Sequence, residues 1–196
     1  MNIVERAKNI LLKPKEEWEV IKTEDTTVNA LFTQYAVILA AIPAVAGFLG
    51  YSIFGLHAGF KTFRMPIGTS FGWAVITYVL MLAGIYLIGF LIDAFAPTFG
   101  STKNMVQSMK VAVYSYTATW VGGIFYIFPV LSFLVMLASI YSLVLMYMGL
   151  KRVKDVPQDK MLGYFITVIV VAIVVYFIIG AITSALIFSG YAMGAM

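Results

Sequence analysis

The chain has 196 residues, of which 62% are apolar and 11% charged, with a formal net charge of +4 and no cysteine. A soluble domain of this length needs roughly twice that charged fraction to cover its surface, so the composition excludes a soluble fold and implies a membrane protein. The absence of cysteine excludes disulfides, thiol catalysis and thiolate metal sites.

Residues 1–30 form a charged N-terminal segment, and residues 31–196 form one membrane domain with no room for a separate soluble one. The N-terminal segment predicts two short amphipathic helices. Ile3, Ala7, Ile10 and Leu11 recur at helical spacing, and Pro14 opens a second helix carrying Trp18 and Ile21. Lys8, Lys13, Lys15 and Lys22 can face anionic headgroups while Trp18 anchors the interface, which describes a helix lying on the cytoplasmic leaflet. Packing against the cytoplasmic ends of the membrane helices explains the same pattern equally well. Charges run through the whole segment, unlike the apolar core of a secretory signal.

Five apolar stretches follow, each close to the roughly 20 residues needed to cross a bilayer. They run from about Leu31 to Phe54, Phe71 to Ile92, Val111 to Ile127, Pro129 to Leu150 and Leu162 to Phe188. Pro43 removes a backbone donor from the first and predicts a kink. The linker Gly55–Ser70, with Phe60 and Phe63, reads as an interfacial loop without chemistry. The third stretch is short and polar, and it meets the fourth almost without a linker, predicting a tight hairpin that either crosses fully or is re-entrant. The fold class is therefore all-α, a polytopic bundle of five transmembrane helices preceded by short amphipathic helices.

The basic residues set its orientation. Lys and Arg number five before the first stretch, two, two, none and four in the successive linkers, and none after the last. A cytoplasmic N-terminus and an outer C-terminus put eleven of them inside and two outside, as the positive-inside rule requires. The same rule accounts for the net positive charge without nucleic acid as a partner. The expected partners are the lipid bilayer and other membrane proteins or a second copy of the chain.

Catalytic constellations are missing. The single histidine, His57, lies in the outer linker without an acidic neighbour, and no phosphate-binding, dinucleotide or metalloprotease motif occurs. No enzyme activity, cofactor or metal is expected. Gly122–Gly123, and the pairs Ala40/Ala44 and Ala181/Ala185, are read as helix-packing contacts. What remains is a polar zone where the second stretch ends and the third begins. Asp93 and Lys110 are its charged groups, Tyr114 and Thr117 continue the Lys110 face at i+4 and i+7, and Ser115 and Thr119 lie beside it. Ser139, Tyr141 and Ser142 of the fourth stretch add to it. Polar groups at this depth turn inward, either to form a cavity for a headgroup, ion or proton, or to hydrogen-bond helix to helix around one ion pair.

Several strings in order resemble the bacterial branch of the Yip (Ypt/Rab-GTPase-interacting protein) membrane family. They are Leu12-Lys13-Pro14-Lys15-Glu16-Glu17-Trp18, Leu91 to Gly100 with its Ala-Pro-Thr-Phe-Gly, Ala112 to Thr117 with its Tyr-Ser-Tyr-Thr, Tyr141-Ser142 with Gly149-Leu150, and Pro157 to Tyr164. The resemblance implies five membrane spans with a cytoplasmic N-terminus. It does not carry over GTPase binding, because the long hydrophilic N-terminal region of eukaryotic relatives is reduced here to about thirty residues. Ala118 stands where the family commonly has proline, which puts a helix break there in doubt. The expected function is a non-enzymatic protein of the bacterial inner membrane that organises partner proteins or local lipid. The alternative is a small oligomeric transporter or channel using Asp93, Lys110 and Tyr114.

Overall fold

The computed structural model describes residues 2–58 and 61–194. Phe60 and the side chains of His57 and Phe63 lie outside that description. Two short helices open the chain, α1 (Ile3–Leu12) and α2 (Pro14–Thr23). The Asn2 side chain caps α1 by accepting from the Val4 and Glu5 N–H groups. Pro14 starts α2 at the one position where a missing N–H costs nothing.

Four longer helices follow whose length and apolar character suffice to cross a membrane: Val28–Phe54, Ile67–Phe99, Pro129–Val153 and Gln158–Ala185. The first, α3, is capped by Thr27, whose hydroxyl accepts from the Ala30 N–H. It contains wide π-turns at Phe32–Ala36 and Gly50–Phe54, yet continues through Pro43. The second, α4 (Ile67–Phe95), tightens into a 3₁₀ turn over Ala96–Phe99 and ends at Gly100. With φ of 74°, Gly100 has a left-handed backbone that suits glycine. The linker before α4 is not all loop, because Leu56–Ala58 and Lys61–Phe63 pair as a small antiparallel ribbon and α4 begins at Ile67.

The third apolar stretch differs from its neighbours. It consists of α5 (Met105–Ser115), α6 (Thr117–Gly122) and a 3₁₀ turn over Gly123–Ile127. After a further turn at Pro129–Leu131 come α7 (Ser132–Val153) and α8 (Gln158–Gly194). The break between α5 and α6 is present without proline, contrary to the doubt that Ala118 raised. Tyr116 adopts φ −81° and ψ 0°, and the Thr117 hydroxyl donates to the Tyr114 carbonyl at 2.7 Å. A side chain thus takes a carbonyl that a continuing helix would use.

Burial explains the polarity of this segment. Every residue from Ser108 to Ser115 is buried, so this part of α5 lies in the middle of the protein, away from its outer surface. It packs against α4 and α7, while α4 also packs along α8. The outward faces of the long helices carry Val79, Phe90, Ile140, Val144, Ile173 and Phe177, all exposed, as a helix bathed in hydrocarbon should.

Glycine sets the closest approaches. A β-carbon on Gly122 would fall 2.5 Å from that of Ala138, and one on Gly123 2.5 Å from that of Pro43, so the Gly122–Gly123 pair lets the third segment touch α7 and α3 at once. Of the two alanine pairs, Ala40 and Ala44 are buried, whereas Ala181 and Ala185 are exposed on the outer surface of α8, where only a contact between chains could use them.

The chain from Met105 to Ile127 follows α3 along its length. At one end the Gln107 amide donates to the Lys22 carbonyl just before α3. At the other, Gly50 lies directly against the Tyr126 carbonyl, and Phe54 packs on Phe128 at 4.7 Å.

Candidate functional site: a polar seam under the N-terminal helices

The N-terminal helices lie on the ends of the long helices, held by their apolar faces and by buried charge. Trp18 and Ile21 are completely buried, with the Trp18 ring over Gly149 of α7, where a β-carbon would come within 2.8 Å of it. Trp18 also meets Tyr114 edge-on at 6.5 Å. It therefore packs inside the protein. Lys13 and Lys15 are exposed, and the outward surface of α1 and α2 adds Val4, Leu12 and Val20 to them.

Arg6 sits beneath this layer, 4% exposed. Its guanidinium pairs with Glu17 and Glu24 and lies 5.4 Å above the Tyr114 ring. Lys110 reaches the same layer from below. Its ammonium donates to the carbonyls of Ile21 at 2.8 Å and Glu24 at 2.6 Å, placing a positive charge on the electronegative C-terminal end of α2. Tyr114 and Thr117 continue that face. Thr117 has one hydroxyl proton and gives it to the Tyr114 carbonyl, so in its 2.8 Å contact with Tyr35 it is the acceptor and Tyr35 the donor.

Asp93 and Lys110 do not pair with each other. Asp93 instead braces the start of α5, accepting from the N–H of its cap residue Asn104 at 2.7 Å and from the Ser108 hydroxyl at 3.0 Å. Its cationic neighbour is Lys154, 3.5 Å away and 1% exposed, which also donates to the Thr102 carbonyl at 2.8 Å. Burial pushes the Lys154 ammonium below the usual lysine range, while the adjacent Asp93 carboxylate acts in the opposite direction. A cavity of about 350 Å³ beside this pair is lined by Lys22, Ser101, Gln107 and Asp155 among others.

The polar zone is thus three clusters. Arg6, Lys110 and Tyr114 hold the N-terminal helices. Asp93 and Lys154 tie α4 and α5 to the linker before α8. Thr119, Ser139 and Ser142 join α6 to α7, with Thr119 and Ser142 hydroxyls 2.9 Å apart. Ser115 is buried, and its hydroxyl has no hydrogen-bond partner among the described residues. Replacing it with alanine removes an unmet desolvation cost, so S115A is expected to leave stability unchanged or raise it by up to about 1 kcal/mol. Unfolding in mixed micelles would reveal a loss instead.

The sequence reading missed Arg6, Glu17, Glu24 and Lys154. Arg6 does carry a signal, since it lies three residues after Ile3 and four before Ile10, on the inward face of α1. Glu17 and Ile21 on α2, with Glu24 just after it, repeat that spacing. Lys154 shows none that separates it from Lys151 and Arg152, which remain exposed.

The strings singled out along the sequence meet in space. Trp18, Tyr114 and Gly149 form one junction. At a second, Phe99 stacks on Tyr164 at 4.9 Å, Tyr164 donates to the Ile92 carbonyl, and Gly100 lies against Pro157.

Comparison with known proteins finds similarity along nearly the whole chain. The chain matches the Yip1 domain over residues 8–193. It is 24% identical over 182 residues to the inner membrane protein YohC of Escherichia coli K12, covering 91% of this chain and 93% of that protein. The YohC protein of E. coli O6:H1 matches equally. No solved structure matches. A domain match running from α1 almost to the end of α8, over a helical architecture with four membrane-length helices, makes this chain a member of the Yip1 domain family.

Proposed function

We propose that the protein is a non-enzymatic scaffold of the bacterial inner membrane that organises partner proteins or local lipid at its cytoplasmic face. One observation carries this reading. The buried charges of the polar zone are engaged in holding the protein together: Arg6 with Glu17 and Glu24, Lys110 with the end of α2, and Asp93 with Lys154. Such groups build a rigid platform from α1 and α2 and leave Asp93 and Lys110 poorly placed to carry an ion. The inner-membrane location of YohC extends by similarity to this chain.

The reading includes five crossings, a cytoplasmic N-terminus and an outer C-terminus. Support for the fifth comes from the segment Met105–Ile127, which accompanies α3 from one end to the other. At helical rises its length is roughly 35 Å, enough for the hydrocarbon core. Support for the orientation comes from the basic residues. Lys22, Arg152 and Lys154 gather at one end of the molecule with α1 and α2, through the Lys22–Asp155 pair at 2.7 Å and the Arg152–Glu19 pair at 3.1 Å.

A cysteine at position 155 tests the orientation in this cysteine-free chain. D155C is expected to react with a membrane-permeant maleimide and to be silent to an impermeant one added to intact cells. Labelling from outside would reverse the topology. Purification in native lipid, with mass spectrometry of whatever co-purifies, tests the role itself, and an enriched partner or lipid class is the expected result. Bare protein would remove its support. A solute or ion flux through the unmodified protein in liposomes, abolished by D93N and K110M, would overturn it in favour of an oligomeric transporter.

A further inference from the structure

A second cavity, of about 300 Å³, lies where α1, the α2–α3 connection, α3 and α5 meet. Its wall carries Glu24, Asp25, Thr27, Gln34, Tyr35 and Tyr114. Nearly all the polar atoms these side chains offer are hydrogen-bond acceptors or hydroxyls, and among the described residues no cation lines it.

Three observations indicate a ligand. First, Tyr114 is only 3% exposed and lines the cavity, and no described residue hydrogen-bonds its hydroxyl. Tyr35 beside it spends its own proton on Thr117. The Tyr114 hydroxyl is therefore free to bond whatever occupies the cavity. Second, the charge is unbalanced. Arg6 and Lys110 face Glu17, Glu24 and Asp25, two cations against three carboxylates, leaving one negative charge in excess among the described residues. Asp25 makes no ion pair there, and it is exposed at the mouth. Third, the cavity opens at the first two turns of a membrane helix. Gln34 is exposed, and so are Val37 and Ile38 one turn further along α3, on a surface that faces lipid. That is headgroup depth, since each interfacial layer is roughly 5–7 Å thick.

We infer that this cavity binds a primary ammonium group, as carried by the ethanolamine headgroup of a phospholipid. The ammonium would donate to the Asp25 carboxylate, the Tyr114 hydroxyl and the Gln34 amide oxygen. A quaternary ammonium fits less well, because it cannot donate hydrogen bonds and needs open aromatic faces. The Tyr114 ring is already covered by Arg6 at 5.4 Å and met by Tyr35 at 4.8 Å. An anionic headgroup meets the excess negative charge. This inference rests on the proposed role in organising local lipid and names the lipid chemistry.

The test exchanges the full-length protein into micelles holding equal amounts of phosphatidylethanolamine, phosphatidylcholine and phosphatidylglycerol with matched acyl chains, and reads retained lipid by native mass spectrometry. The wild type is expected to keep the ethanolamine lipid about tenfold over the other two, the scale of one hydrogen bond to a charged donor. D25N and Y114F should each bring that preference close to parity, while D159N, on the exposed start of α8, should retain it. Y114F deletes only an oxygen that has no partner, so its fold is preserved even if D25N proves unstable. Millimolar soluble ethanolamine separates the two sources of the same chemistry. Failure to displace the lipid identifies a lipid headgroup, and displacement identifies a small amine. Equal retention of all three lipids by the wild type, or a preference unchanged in both variants, overturns the site. An enriched partner protein in native lipid without any ammonium preference overturns this inference and leaves the scaffold reading standing, whereas bare protein without that preference removes both.

Discussion

Replacing Arg6 with alanine is expected to destabilise the protein by about 3–5 kcal/mol and to release α1 and α2 from the bundle. The loss arises less from the missing attraction than from what stays behind. Glu17 has a side chain 9% exposed, and without the guanidinium its carboxylate is buried with no cation. Glu24, 28% exposed, keeps access to water and adds less. Removing both charges avoids the orphan, so the double substitution R6M/E17Q should recover most of the stability. Unfolding in mixed micelles measures the first effect, and limited proteolysis between Thr23 and Val28 reads the release of the N-terminal helices. An R6A protein as stable as the wild type, with this connection still protected, would show that the ion cluster does not hold the platform.

Trp18 carries the second large effect. W18A empties a completely buried indole site and is expected to cost about 3–5 kcal/mol. W18F should cost less, because the indole N–H is buried without a partner among the described residues, so its loss removes an unmet donor while most of the ring volume remains. Gly149 on the facing helix makes a coupled experiment possible. A β-carbon there would sit 2.8 Å from the Trp18 ring, so G149A forces the ring outward and should destabilise by about 1–3 kcal/mol. In the W18A background the same methyl group enters the space the indole vacated, and the penalty should vanish or change sign. Additive losses in that double-mutant cycle would mean that Trp18 and Gly149 do not share one packing site.

The two experiments bear on function because both remove the platform without touching the membrane-facing surface. If α1 and α2 present the protein to its partners, R6A and W18A should lose the same co-purifying protein or lipid, while S115A keeps it.

Much of this architecture is legible along the chain. Apolar runs of bilayer length and their separation by charged linkers follow from the cost of putting backbone or charge into hydrocarbon, and that cost acts on each segment alone. The N-terminal helices are legible for a similar reason, since the spacing of Ile3, Ala7, Ile10, Trp18 and Ile21 marks one apolar face whatever it rests upon. What that face rests upon is not legible. An interfacial tryptophan and one buried over a glycine have the same neighbours in sequence, and only the packing of α2 on α7 sends Trp18 inward.

The same limit governs the polar zone. Polar residues collected near Asp93 and Lys110 because membrane proteins turn such groups inward, and that much is a property of residue type and depth. Their pairing is a property of three dimensions. Asp93 takes Lys154, which is sixty-one positions away along the chain (154 minus 93), and Lys110 takes two carbonyls of α2. The third apolar stretch shows the division most clearly. Its sequence alone accounts for a short, polar segment, but the break at Tyr116 and the burial of α5 on every side depend on neighbours that supply the hydrogen bonds lipid cannot. By itself the sequence determined that this is a membrane helical protein with its positive charge at one face, because solvation free energy is summed residue by residue. Only the tertiary structure decided which charges meet, since an ion pair depends on distances that the order of residues does not set.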